Sequence, residues 1–302
     1  MDAFLEQYQG APASKAWLRH YLGKATVTFG DVPIGELDAL AVSRWRARLP
    51  ETMRHGAHRA LRQVLGAAVK WQWIERNVAT FVSNPQHPRP EFHPFESWEE
   101  VEGVAAELGS VFGPLVIFSV GTGVRPEEAF GGEWRDVDLE AGVFTVRRAF
   151  AKGRLKTYAK TARSRRRVPL RTKVAAALEK LPQREGILFP ASEGGRIEIN
   201  TWRSREWAPA LKAAGVEHRR IYDMRHTFAT WSLAAGMSIF TLARRMGTSV
   251  QMIDDTYGHL ARDADDQDRE LLNAFDVAAD EGDGHDVGTD SAEEPPGDAE
   301  AA

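Results

Sequence analysis

The sequence predicts a mainly α-helical fold with a small antiparallel β-sheet, arranged as a helical N-terminal domain followed by a mixed α+β domain. Three observations carry that expectation. Apolar residues recur at three- and four-residue steps, most plainly at Leu61, Val64, Leu65, Ala68 and Trp71, which is the period of one helix face. The period changes at Val143-Phe-Thr-Val146 and Arg167-Val-Pro-Leu170, which read as strands. Finally, Pro85, Pro88, Pro90 and Pro94 stand close together, and a run that cannot propagate a helix reads as an extended linker. The expected layout is residues 1–84, a linker at 85–94, a second domain at 95–275 and a tail at 276–302.

Taken in order, Gly30, Pro33 and Gly35 mark a turn ahead of a helical stretch spanning residues 42–73. Between Arg44 and Arg76 there are eight basic residues against two acids, Glu51 and Glu75. A solvated helix face is the commoner meaning of such a stretch; a basic helical domain joined to a second basic domain also suits a clamp around nucleic acid. Beyond the linker, residues 101–120 read as two helices, with Gly121-Thr-Gly123 ending the second. After the strands, helical pattern resumes at Val174, in residues 203–214 and in residues 225–235. From about residue 276 the chain is Asp, Glu, Gly, Ala and Pro with almost no large apolar side chain, a composition that cannot offset the entropy of ordering.

The absence of cysteine excludes disulfides and thiolate metal sites. The most apolar stretch, residues 115–120, is far shorter than the ~20 residues a membrane helix needs. With no basic-then-apolar leader at the N-terminus, a soluble cytoplasmic protein is expected. The net charge of −4 conceals an asymmetry. Residues 263–302 hold 15 acids and one basic residue, Arg269, which leaves 38 Lys and Arg against 28 Asp and Glu in the body, about +10. Residues 147–171 contain eleven Lys and Arg and no acid. A run of one sign is relieved by a phosphate backbone laid along it, so Arg147, Arg148, Arg163, Arg165 and Arg166 are candidate nucleic-acid contacts.

Three further segments share a reaction logic: Thr122-Gly-Val-Arg125-Pro-Glu-Glu128, Tyr222-Asp-Met-Arg225-His226-Thr227, and residues 246–259 with Thr248, Tyr257 and His259. With the run Lys160-Thr-Ala-Arg-Ser164-Arg-Arg166, they resemble, in order and spacing, the boxes of the tyrosine recombinase (phage integrase) family over residues 30–260. The resemblance implies the two-domain fold of that family, with a helical core-type DNA-binding domain and a catalytic domain. It implies a nucleoid-associated DNA strand transferase that cuts through a 3′-phosphotyrosyl bond, with no metal, cofactor or ATP. Tyr257 would be the nucleophile. Arg125 and Arg225 would hold the scissile phosphate through their planar forks of donors, each such donor supplying about 3–4 kcal/mol to the rate. Lys160 would protonate the leaving 5′ oxygen, although Lys152 and Lys156 compete with it and only the Lys-Thr-x-x-Ser-x-Arg run favours it. Glu128 would buttress Arg125.

Two positions depart from the family pattern. Tyr222 stands where His or Lys is common, and Thr248 where His or Trp is usual. Both can donate a hydrogen bond, but neither is a base at neutral pH. His226 and His259 are the nearest histidines that could compensate, with a structural hydrogen bond the expected role of His226. The implied partners are double-stranded DNA, a homotetramer on two DNA sites and an accessory directionality protein, with no membrane. Leu271, Leu272 and Phe275 form an apolar edge that would dock on a neighbouring protomer. Too few residues precede Phe29 for a further arm-binding domain, so the expectation is either that the protein works on simple core sites or that the natural chain uses another start. The alternatives are a type IB topoisomerase-like enzyme that only relaxes DNA, and a catalytically impaired relative that occupies recombination sites.

Overall fold

Pro50 divides the helical stretch expected over residues 42–73. With no amide hydrogen and a fixed φ, it ends the helix Ala39–Arg48 and opens the helix Glu51–Lys70. These are α3 and α4; two earlier helices, α1 (Asp2–Gln7) and α2 (Pro12–Phe29), precede them. The computed structural model describes residues 1–85, 91–157, 166–258, 269–270, 272–274 and 276–277. It divides into two units, Met1–Glu91 and Phe92–Ala302.

The first unit is held by two apolar clusters. Leu18 and Leu22 of α2 meet Phe4, Leu5 and Ala60, and Val42 and Trp45 of α3 meet Ala25, Leu61 and Leu65. The apolar stripe on α4 is the one its spacing indicates: Leu61, Leu65 and Ala68 are buried, while Val64 and Trp71 pack at the margin. Asp38 caps α3 by accepting from the Ala41 amide at 2.7 Å.

The second unit is built around one helix. α5 (Trp98–Glu107) and α6 (Gly109–Thr122) are the pair expected there. α6 is apolar on every side and therefore lies at the centre, with α5, α8 (Thr172–Glu179) and α11 (Asp223–Ala234) packed on it. α7 is Pro126–Gly131. β1 (Val137–Asp138), β2 (Val143–Val146) and β5 (Arg166–Pro169) form an antiparallel sheet in the order β1-β2-β5. Phe144 pairs with Val168 across it and meets Phe118 of α6 edge to face at 5.0 Å, which ties the sheet to the central helix.

The basic stretch between β2 and β5 carries a hairpin of its own, β3 (Arg148–Ala151) with β4 (Arg154–Thr157). Its two-residue turn, Lys152-Gly153, has φ of +52° and +69° at the two positions, as a type I′ turn requires. Residues 158–165, and with them Lys160, Arg163 and Arg165, lie outside the described residues. The helical pattern of residues 203–214 is α9 (Ile199–Trp202), a π-helical segment (Arg203–Trp207) and α10 (Ala208–Ala213). α12 (Ile239–Met246) and α13 (Val250–Tyr257) follow α11. No described helix is long and apolar enough to cross a membrane.

Candidate active site

The C-terminus of α12 gathers three arginines. A helix leaves its last carbonyls without partners inside the helix, and its dipole makes that end negative. Gly247 closes α12 in the left-handed region at φ +63°, and the Thr248 amide returns to the Ala243 carbonyl at 3.0 Å. The carbonyls of Arg245, Met246 and Gly247 are thereby turned outward. Arg166 donates through Nε to the first at 2.7 Å, Arg225 through Nη2 to the second at 2.8 Å, and Arg125 through Nη2 to the third at 2.8 Å.

Each arginine has a second anchor. Arg225 donates through Nη1 to the Gly123 carbonyl at 2.5 Å. Gly123 caps α6 at φ +62°, and a Cβ there would fall 2.2 Å from the Phe228 ring, so both conformation and space require glycine. Arg125 and Arg166 share Glu128. Arg125 reaches Oε1 at 3.0 Å, and Arg166 takes Oε1 at 2.9 Å and Oε2 at 2.6 Å. The carboxylate also accepts from the Arg125 amide at 2.8 Å, as a capping box for α7. Burial opposes ionisation of Glu128, but hydrogen bonds and charge from Arg166, with help from Arg125, outweigh it and hold the carboxyl below its ordinary range. Arg225 is itself buried, and loss of solvent brings its pKa down to about 10, so it still carries its charge at neutral pH.

Tyr257 ends α13 with only 3% of its surface exposed. Burial raises its phenol above the ordinary value, and the nearby Arg225 charge opposes that rise. Its Oη lies 2.7 Å from Nδ1 of His226 on α11. Phe92 stacks on the His226 ring at 4.5 Å and meets Tyr257 edge-on at 5.5 Å. Tyr222, at the start of α11, is 41% exposed and approaches His226 edge-on at 5.4 Å. Thr248 is half-buried next to Gly247. Thr227 accepts from the Phe95 amide at 2.9 Å and so pins the segment carrying Phe92 onto α11.

Arg125, Arg225, Glu128, His226 and Tyr257 thus all stand on α7, α11 and α13 or at their ends. Two of the expected nucleic-acid contacts stand elsewhere. Arg148 is buried, not laid on a surface, because Glu133 and Asp136 neutralise it from inside the unit. Arg166 is turned inward by Glu128 and the Arg245 carbonyl, with an 8% exposed side chain. Arg147 is 43% exposed and pairs with Asp136 at 3.3 Å. Lys160, Arg163, Arg165 and His259 lie outside the described residues. Sequence reasoning did not find the carbonyl cluster of α12, whose only signal is Gly247, or Phe92, which sits in the run read as linker.

Residues 114–263 match the model of the phage integrase family. Among curated relatives, the prophage integrase IntR of Escherichia coli K12 is 31% identical over 186 residues, covering 52% of this chain and 45% of that protein. The integrase of Salmonella phage P22 is 27% identical over 210 residues, covering 67% of this chain and 52% of that protein. The chain spans about half the length of these relatives. Among solved structures, the Tn1549 transposon integrase bound to a circular intermediate DNA superposes with a TM-score of 0.75 at 18% identity, covering 90% of this chain and 97% of that one. A lambda integrase dimer bound to a core site gives 0.65 at 13% identity, covering 84% and 91%. At such identities the likeness is one of fold.

Proposed function

Because this chain belongs to the phage integrase family of tyrosine recombinases, we propose that it is a site-specific recombinase acting on double-stranded DNA. One observation carries the reading. Arg125, Arg166 and Arg225 converge on the end of α12, a few residues ahead of the helix that carries Tyr257. A phosphodiester is an anion, and negative charge builds on its non-bridging oxygens as a fifth bond forms. Guanidinium groups held in place by carbonyls and Glu128 need little reorganisation to meet that charge.

In this reading Tyr257 Oη attacks the phosphorus and forms a 3′-phosphotyrosyl bond. Arg125 and Arg225 hold the phosphate, and Arg166 and Glu128 keep Arg125 in place. Lys160 protonates the departing 5′ oxygen. A 5′-hydroxyl from a partner strand then reverses the attack and rejoins the DNA with no ATP, because the covalent bond conserves the phosphodiester. Tyr222 and Thr248 serve as hydrogen-bond donors at the phosphate. The working assembly is a homotetramer on two DNA sites, aided by a directionality protein; lambda integrase, a neighbour in fold, is known as a tetramer on a Holliday junction.

A nicked suicide duplex tests the proposal, since the short fragment released on cleavage diffuses away and traps the adduct. The protein should become covalently linked to DNA. Tight binding with no adduct would support a catalytically impaired DNA-binding protein instead.

A further inference from the structure

We propose that His226 is the base that accepts the phenolic proton of Tyr257. The inference rests on the reading of Tyr257 as nucleophile and assigns the group that activates it. The contact is direct: Nδ1 of His226 lies 2.7 Å from Tyr257 Oη, within reach for proton transfer. With its own proton on Nε2, the imidazole accepts at Nδ1 while the phenol donates.

The surroundings fix that pairing. Phe92 lies flat on the imidazole, with the planes 10° apart, and its ring also meets Tyr257, so both rings are confined by one aromatic wall. Thr227, one residue along α11, holds the backbone of Phe95 and so holds that wall in place. The other positions where an imidazole would be usual offer no base, since Tyr222 is a second phenol and Thr248 an aliphatic hydroxyl.

The charged groups facing His226 are Asp223, Arg220 and Arg225, with Tyr222 and Tyr257 as the neighbouring phenols. Burial, with Arg220 and Arg225 adding to it and Asp223 opposing, brings the imidazole pKa down to about 4, so without DNA the ring is neutral and free to accept a hydrogen bond but is a weak base for a phenol that burial has raised. An anionic phosphodiester bound beside Arg225 offsets the guanidinium charge, so the base strengthens as substrate arrives. The proton balance is closed. The Oη–H bond breaks and its proton passes to Nδ1; the Oη–P bond forms as the P–O5′ bond breaks. The electron pair stays on O5′, which takes its proton from Lys160. On rejoining, His226 returns its proton to the phenolate.

The test uses the full chain and single-turnover cleavage of the suicide duplex, with DNA binding and thermal melting as controls. His226→Gln can still accept a hydrogen bond from Oη but cannot carry the proton away. It should cleave about 100-fold more slowly or worse. His226→Ala should be equally slow and should regain rate with added imidazole, which the slot beneath Phe92 can admit. The acid limb of the wild-type rate profile should be missing from His226→Gln. Wild-type cleavage by His226→Gln would overturn the proposal and leave His226 a positioning residue, and a loss in both variants that imidazole does not relieve would also overturn it. If the wild-type chain forms no adduct, it is the recombinase reading that fails.

Discussion

Glu128 is where the two ends of the site's electrostatics meet, since one carboxylate holds Arg125 and Arg166 together. Removing one member of a buried ion pair typically costs about 3–5 kcal/mol. Glu128→Gln should therefore lower stability at pH 7 by roughly 3 kcal/mol in urea melts. The sign with pH follows from its depressed folded pKa. The carboxylate contributes stability above the ordinary value of 4.5 and loses it as pH falls through the lower folded value, so the gap between wild type and Glu128→Gln should close in acid. His226 works in the same direction for the opposite reason. Its pKa lies at about 4 in the fold against 6.5 unfolded, so the unfolded chain takes up a proton that the folded chain refuses. Stability should decline as pH drops from 6.5 towards 4, and His226→Gln should lack that part of the decline; equal slopes would show that the imidazole is not held neutral.

At the scale of elements, the basic hairpin separates two roles that charge alone could not. Arg148 starts β3 but points inward to Glu133 and Asp136, whereas Arg154 and Lys156 on β4 are exposed. Arg148→Ala should cost about 2–3 kcal/mol of stability, because it takes a buried guanidinium from two carboxylates that keep only their more exposed partners, Arg147 on Asp136 and Arg135 and Arg196 on Glu133. Arg154→Ala with Lys156→Ala should change stability by less than about 1 kcal/mol yet weaken DNA binding and flatten its salt dependence. Binding unchanged by the double variant would place the DNA elsewhere. What the sequence made legible follows the same division. The stripe on α4, the end of α6 at Gly123 and the β2–β5 pairing could be read, because periodicity and turn residues are local signals. The inward course of Arg148 and Arg166 could not be, because it depends on Glu133, Asp136 and Glu128 arriving from other parts of the chain. Phe92 was hidden for a related reason: its proline-rich surroundings indicate an extended backbone and say nothing of what that backbone packs against.

At the scale of the molecule, the charge is divided between a body of about +10 and an acidic C-terminal segment, residues 263–302. Leu271 and Phe275 lie outside the described residues; if they and Leu272 dock on a neighbouring protomer, deletion of residues 268–302 should weaken pairing of two DNA sites more than binding of one. Equal losses in gel-shift and synapsis assays would argue against that arrangement. The proposed chemistry depends on which side chain would be joined to DNA. Tyr257 is buried against His226, while Tyr222, at the other edge of the same imidazole, is 41% exposed and is the obvious rival. Mass spectrometry of the proteolysed adduct from a suicide duplex decides between them. A DNA-linked peptide containing Tyr257, absent from Tyr257→Phe, is the predicted result; an adduct on Tyr222, or one that persists in Tyr257→Phe, would contradict the assignment.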